Sequence, residues 1–379
     1  MANTLEKGTL FPVELTNEMF TLVKGKSSLA RLSNSEPIPF NGKELFTFNF
    51  DKEIDVVGES GAKSNGGATI QPVTIKPIKV EYGMRVSDEF KYAADEARLP
   101  VLRAFMDGFA AKVAKGFDLM AMHGINPRTG NAASTVIGNN HFDYAVSRTV
   151  RKGNSANTTV EAAVATVQEK EWEASGLVMS PALRAALAQE KDNTNKPIYP
   201  QLAWGATPPD INGLPVDTNA TVSFGNSEDI GIIGDFATCF KWGYAKDVFF
   251  KIIEFGNPDN DPDAGDLAGH NQIYIRGEAY IGWGILVSDA FCRILKAPSV
   301  TLDKASASVA AESTVSLTAT TYPAGETVTW ASDDESVATV SSGTVTGVAE
   351  GTANITASIT VGGITTTASC KVTVTAASV

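Results

Sequence analysis

Pro100-Val-Leu-Arg-Ala-Phe-Met-Asp-Gly-Phe-Ala-Ala-Lys-Val-Ala-Lys-Gly-Phe-Asp-Leu-Met-Ala-Met-His-Gly124 carries an apolar stripe at near-helical spacing: Val101, Phe105, Phe109, Val113, Phe117 and Met120. The pattern predicts a long helix. Pro100 suits its first turn, where no N–H is needed, and Gly124 suits the stop after His123. Gly108 and Gly116 leave two turns bare, which predicts close packing on a sheet. Just upstream, Ser87 is placed as an N-cap, with Asp88 and Glu89 where a helix dipole favours acids. Residues 45–50 and 74–80 alternate as strands do. Between them Val57-Gly-Glu-Ser-Gly-Ala-Lys-Ser-Asn-Gly-Gly67 is polar and glycine-rich, and reads as a long excursion away from the core. Residues 13–24 (Val13, Leu15, Met19, Phe20, Leu22, Val23) have the spacing of a short amphipathic helix.

Downstream of the long helix the texture is α/β. A helix is predicted over 160–174, a strand over 176–180 and a helix from Pro181 to Lys191. A loop edge follows at 213–216 and a strand at 230–235. Segments 248–255 and 272–289 are strand-rich and return the chain to where it began. The first 300 residues therefore read as α+β.

The last 79 residues differ in kind. From Thr301 onward there are 29 Ser or Thr, two aromatics (Tyr322 and Trp330), two lysines and seven acids. Period-two alternation runs through Val315-Leu317-Ala319, Val328-Trp330, Ile355-Ala357-Ile359 and Cys370-Val372-Val374, broken by turn signals such as Pro323-Ala-Gly325 and Gly362-Gly363. About seven short strands in so short a span predict a small β-sandwich. Cys370 has no partner cysteine in this segment, so the core has to come from Trp330, Val328, Leu317, Ile355 and their aliphatic neighbours. The joint is the proline-containing Lys296-Ala-Pro-Ser299.

Composition narrows the function classes. The 379 residues hold 31 Lys or Arg against 43 Asp or Glu, a net charge of −12, which argues against a sequence-independent nucleic-acid binder. Three widely spaced cysteines (Cys239, Cys292, Cys370) give neither a disulfide framework nor a CxxC pair and fit a reducing compartment. No apolar run approaches the roughly 18 residues of a membrane span, and the first residues lack a signal-peptide pattern.

Two resemblances follow from these residues. Val300-Thr-Leu-Asp-Lys, Tyr322-Pro, Val328-Thr-Trp-Ala-Ser-Asp-Asp, Val337-Ala-Thr-Val, Gly343-Thr-Val-Thr-Gly-Val and Gly351-Thr-Ala-Asn-Ile-Thr-Ala resemble a bacterial Ig-like domain of group 2. Such domains occur on adhesins and as appendages of phage virion proteins. The first 290 or so residues are similar to the major capsid proteins of tailed bacteriophages, with the Hong Kong 97-type fold. The residues that carry this likeness are Val57-Gly-Glu-Ser-Gly-Ala-Lys63, Val86-Ser-Asp-Glu-Phe90, the helix with Phe117-Asp-Leu-Met-Ala-Met-His-Gly124, Val178-Met-Ser-Pro-Ala-Leu-Arg184, Gly213-Leu-Pro-Val-Asp217, Gly234-Asp-Phe236 and Ile275-Arg-Gly-Glu-Ala-Tyr-Ile-Gly-Trp283.

The resemblance implies an N-terminal arm (1–40), an extended loop (41–80), a peripheral domain (81–150 and 249–297) and an axial domain (151–248), followed by the Ig-like sandwich (298–379). It implies a virion protein that self-assembles into pentamers and hexamers around double-stranded DNA without binding it specifically. Scaffolding and portal proteins are expected partners. Scaffolding is expected as a separate chain, and assembly in the host cytoplasm. The Ig-like domain is expected to face outward, for weak attachment to host-surface glycans or for shell stabilisation. Glu59, Lys63 and Arg85 are candidate inter-subunit charges at the loop and its base. A cell-surface adhesin carrying an Ig-like module is the alternative, and it explains the tail but not the first 300 residues.

Chemistry is sparse. Gly58-Glu-Ser-Gly-Ala-Lys-Ser64 lacks the glycine before lysine that a phosphate loop needs. Asp259-Asn-Asp-Pro-Asp263 alternates like a calcium loop, but Ala264 stands where glycine belongs and His270 where glutamate belongs. His123, His141 and His270 are far apart, no nucleophile elbow is present, and Asp333-Asp-Glu335 suits an exposed turn. No enzyme, cofactor or metal is expected.

Overall fold

The computed structural model describes residues 22–376 except positions 24, 51, 63, 64, 93, 94 and 206. The chain divides into two compact units, Met1–Thr149 with Ala162–Arg293, and Val150–Glu161 with Ile294–Val379. Helix α1 (Ser28–Leu32) comes first, then strands β1 (Lys43–Phe50), β2 (Ala68–Ile75) and β3 (Ile78–Ser87), and the long helix α2 (Asp95–His123). Helix α3 (Phe142–Ala145), strand β4 (Thr149–Arg151), helix α4 (Ala156–Gln168), strand β5 (Gly176–Met179) and helix α5 (Pro181–Gln189) follow. Next are β6 (Asp210–Ile211), β7 (Leu214–Thr218), β8 (Asp229–Gly234), helix α6 (Phe236–Cys239), β9 (Phe240–Ile253), β10 (Gln272–Ile285) and β11 (Phe291–Leu295).

Several boundaries differ from the sequence reading. Pro100 lies inside α2 rather than opening it, because the helix begins at Asp95. A proline so near the start forfeits one backbone bond without breaking the helix. The 74–80 alternation is two strands, since Pro77 has no N–H for a ladder and separates β2 from β3. Helix α4 runs 156–168 rather than 160–174, and Glu171 beyond it takes φ 61°. Gly124 stops α2 as expected, with φ +64° and its N–H on the Met120 carbonyl. Ser87 caps a single 3-10 turn, Asp88–Lys91, through the Glu89 amide. Of the predicted helix at 13–24, residues 13–21 and 24 lie outside the described residues. Val23 is buried on Met106, Phe109, Ala110 and Val113 of α2.

β3, β10 and β9 form an antiparallel sheet in that order, and α2 packs across it. Phe105 and Phe109 meet Phe250 edge-on at 5.9 and 5.8 Å. A Cβ on Gly277 would stand 3.1 Å from the Phe109 ring, so bare backbone sits under the aromatic row. A six-stranded sheet has the order β4-β11-β8-β5-β7-β6. Its strands β5 (GLVM) and β8 (DIGIIG) are buried at every position, the continuous burial of strands covered on both faces. Phe117, Trp242, Trp283, Phe142, Phe240 and Phe291 share one buried cluster.

The chain before β1 also adds to β9. Glu36 N–H donates to the Trp242 carbonyl (2.8 Å) and Ile38 N–H to that of Tyr244 (3.2 Å). Gly243 makes the approach possible, since a Cβ there would lie 1.7 Å from the Glu36 oxygen.

The Ig-like segment contains β12 (Ser299–Leu302), β13 (Ser306–Ala310), β14 (Thr314–Ser316), β15 (Ala319–Tyr322), β16 (Thr329–Ser332), β17 (Ala338–Ser341), β18 (Thr344–Gly347), β19 (Gly351–Val361) and β20 (Ile364–Thr375). They pair as β13-β20-β19-β16, β14-β18-β17 and β12-β15. Leu317 and Ile355 are buried in one cluster, Val328 packs on a second, and Trp330 is half-buried against both. Cys370 is a free, buried thiol.

Candidate assembly surface

β1 and β2 pair antiparallel over eight residues, from Lys43↔Ile75 to Phe50↔Ala68, and form a two-stranded sheet of their own. A lone two-stranded ribbon is marginally stable in water, so this one needs an anchor and a partner. The anchor is Ile75, 1% exposed, seated over Gly282 and Gly284 of β10. Away from it the ribbon is wet on both sides. Phe46 and Ile70 are 55% and 54% exposed, and Ile54 and Val56 in the excursion are 95% exposed. Apolar groups gathered on an extension with no core of its own mark an interaction surface.

Glu59 is exposed in the turn that Gly61 N–H closes on the Gly58 carbonyl. Lys63 lies outside the described residues. Lys52 Nζ donates to Asn65 O and Oδ1 (3.0 and 2.8 Å) across the excursion. Arg85, on β3, directs its guanidinium into its own chain. Nε and Nη2 hold Asp259 at 2.8 and 2.6 Å, Nη2 also reaches Asn257 Oδ1 and Gly265 O, and Nη1 reaches Ala264 O and Gln272 Oε1. This bidentate grip holds the Asp259 carboxyl well below its usual range. In the calcium-like stretch, the charge facing Asp259 is therefore a guanidinium.

Two buried polar nodes escaped the sequence reading. Asp118 follows Phe117 in the buried last turns of α2 and is itself fully buried. It accepts from Ser27 Oγ (2.6 Å), the Ser28 and Leu29 amides (3.0 and 3.3 Å) and Asn219 Nδ2 (2.9 Å). One carboxylate thus caps α1, since those amides are free at a helix start, and ties it to α2 and to the chain after β7. Burial pushes its pKa up to about 7 against the pull of those hydrogen bonds, with Asp217 nearby adding to the rise.

At the end of α2, His123 Nδ1 meets Asp143 Oδ2 at 2.8 Å and Nε2 donates to the Thr221 carbonyl at 2.8 Å. Arg293 Nε donates to both Asp229 oxygens (3.1 and 3.0 Å), Nη2 lies 3.2 Å from Asp143 Oδ1, and Nη1 caps the carbonyls of Asp143 and Val146. His123, Asp143 and Asp229 bring ligand-type atoms within 4.8 Å of one another. Arg293 supplies positive charge to both acids of this cluster. The signal that could have found both nodes is an acid or a histidine inside an otherwise apolar run, as in Phe117-Asp118-Leu119 and Met122-His123.

A third buried carboxylate, Glu278 on β10, lies among Lys79 (3.1 Å), Lys251 (3.2 Å) and Arg276 (2.9 Å). Burial opposes its charge, but Lys79 and Lys251 outweigh that and hold its pKa below the usual value.

Residues 7–295 match the Phage capsid family. The chain belongs to that family. Residues 296–376 match the Bacterial Ig-like domain (group 2). Among solved structures, a chain from Mycobacterium phage Ogopogo is 31% identical with a TM-score of 0.61, covering 72% of this chain and 92% of its own. One from Gordonia phage Cozz is 22% identical with a TM-score of 0.60, covering 72% and 87%. The capsid of an empty GTA particle shares the fold at 13% identity and a TM-score of 0.50, covering 78% and 94%. A search of curated proteins found no match. The capsid family membership makes this chain a structural subunit of a phage head, carrying an Ig-like domain at its C-terminal end. Among the described residues no helix is long and apolar enough to cross a membrane.

Proposed function

We propose that this capsid subunit forms pentamers and hexamers that close into an icosahedral shell, with the β1–β2 ribbon lying over an adjacent copy. The observation that carries the reading is the ribbon itself: two strands, anchored at Ile75, with Phe46, Ile70, Ile54 and Val56 exposed. Residues 1–40 act as an arm, 41–80 as the overlapping loop, 81–150 with 249–297 as the peripheral domain and 151–248 as the axial domain. Glu59 and Lys63 are the charges offered to the neighbour, and Arg85 sets the shape of the loop at 257–265.

Assembly takes place in the host cytoplasm with scaffolding and portal proteins, and involves no chemical step. The charge balance suits a container whose DNA has to slide during packaging. The Ig-like domain faces outward, where many copies turn weak binding to host-surface glycans into avidity. Holding neighbouring subunits together is the competing role. Negative-stain microscopy of the full chain and of a chain ending at Lys296, each expressed with and without a scaffolding partner, tests the reading. Shells from both support an assembly function with a dispensable appendage. Shells from the full chain alone assign the Ig-like domain to stabilisation, and shells from neither overturn the proposal.

A further inference from the structure

Between α5 and β6 the chain makes an excursion away from the six-stranded sheet. Asp192 Oδ1 organises its first turn, accepting from the Thr194 and Lys196 amides at 2.8 and 2.9 Å. The Ile198 amide returns to the Glu190 carbonyl at 2.9 Å. Tyr199 and Leu202 are then buried around a 3-10 turn, Pro200–Leu202. Arg184, one turn into α5, donates from Nη2 to the Gly205 carbonyl at 2.7 Å and reaches the Leu202 carbonyl at 3.5 Å. Gly205 takes φ +87° to present that carbonyl.

Between those two clamped residues stands Trp204, 92% exposed. The backbone on either side is fixed while the largest apolar side chain in the protein's repertoire points into solvent. A flexible loop would let the indole fold back onto the surface. This one is held out, and Ile198, six positions earlier in the same excursion, is also 41% exposed. Tryptophan on a pre-ordered support is the residue type most enriched at the energetic centre of protein interfaces, and pre-ordering lowers the entropy lost on docking.

We infer that Trp204 is an inter-subunit anchor, inserted into a second copy of this chain within the assembled shell. The occupant follows from the family: a head subunit is surrounded by copies of itself, and closure of a ring requires a heterologous contact in which a protrusion on one copy meets a different surface on the next. The inference rests on the assembly reading above and adds to it a contact separate from the β1–β2 ribbon.

The test compares the full chain, Trp204→Ala and Trp204→Phe under the conditions in which the unaltered chain forms particles. Because the indole is exposed in the single subunit, both variants are expected to keep the far-ultraviolet circular dichroism and melting midpoint of the unassembled chain. Trp204→Ala is expected to lower particle yield at least tenfold on a sucrose gradient, and Trp204→Phe to retain most of it. In assembled particles the fluorescence that distinguishes the unaltered chain from Trp204→Phe is expected to be shielded from acrylamide. Normal particle yield from Trp204→Ala, or an indole as quenchable in particles as in free subunits, overturns the inference while leaving the assembly reading intact. Absence of particles from the unaltered chain overturns both.

Discussion

Ile75 rests on Gly284: a Cβ on that glycine would lie 2.9 Å from Ile75 Cγ1, and one on Gly282 would lie 3.1 Å from Ile75 Cγ2. Two bare positions on β10 therefore make the seat on which the base of the β1–β2 ribbon sits. Gly284→Ala is expected to overpack this seat and cost about 1–3 kcal/mol, lowering the melting midpoint by about 2–4 °C per kcal/mol. Trimming the overlying residue, Ile75→Val, should relieve part of that strain. Scanning calorimetry of the two single variants and the double variant checks it, with a double-variant loss smaller than the sum as the expected result.

Asp118 holds α1 against α2. Asp118→Ala would leave the Ser28 and Leu29 amides, Ser27 Oγ and Asn219 Nδ2 without their acceptor, at about 1–3 kcal/mol for each buried donor left unpaired. Asp118→Asn keeps one acceptor oxygen but turns a second donor toward the others, so it should cost about 1–3 kcal/mol. Urea denaturation orders the three proteins, and equal midpoints would refute the capping role.

The His123 node gives a pH dependence of definite sign. Burial opposes a charged His123, but the hydrogen bond and charge of Asp143 outweigh it and raise its pKa above the usual value. Burial, with Asp143 alongside, lifts Asp229 to about 7. Both groups hold protons in the folded state that the unfolded chain releases, so their contribution falls as pH rises, for Asp229 from about 4 to about 7. The stability advantage of the unaltered protein over His123→Gln should therefore be larger at pH 6 than at pH 8. Thermal melts at the two values measure it; an advantage that grows with pH contradicts the assignment.

Arg85 sets the 257–265 loop through a planar fork that lysine cannot reproduce. In Arg85→Lys, amide exchange at Leu267 and Asp263 should accelerate by about tenfold or more, with global stability little changed, because only this loop opens. Unchanged exchange there would show that the loop orders itself without the guanidinium.

Much of the architecture was legible in the residues because its signals are local. The period of 101–120 gave α2, Gly124 its end, and the Ser/Thr-rich alternation after Thr301 the sandwich. What escaped depends on partners distant in sequence. β9 begins at Phe240 rather than 248 because Phe240, Trp242 and Tyr244 share an aromatic face with α2 residues more than a hundred positions earlier, Phe117 lying 5.3 Å from Trp242. Pro100 is tolerated inside α2 because the helix begins five residues before it. Asp118, Asp229 and Arg293 read as ordinary charges until the fold brings Ser27, Asn219 and Asp143 to them. Arg85 was legible as a charge near the base of the extended loop, but the direction of its guanidinium is set by a loop some 170 residues on.

On the proposed assembly, the exposed apolar residues of the β1–β2 ribbon meet another copy of the chain. The most direct measurement is negative-stain microscopy with sedimentation of the double variant Phe46→Ser and Ile70→Ser beside the unaltered chain. Both side chains are more than half exposed, so the variant subunit should melt at the same temperature. The expected result is a folded subunit that no longer closes into shells. Shells in normal yield and of normal size from the variant would contradict it.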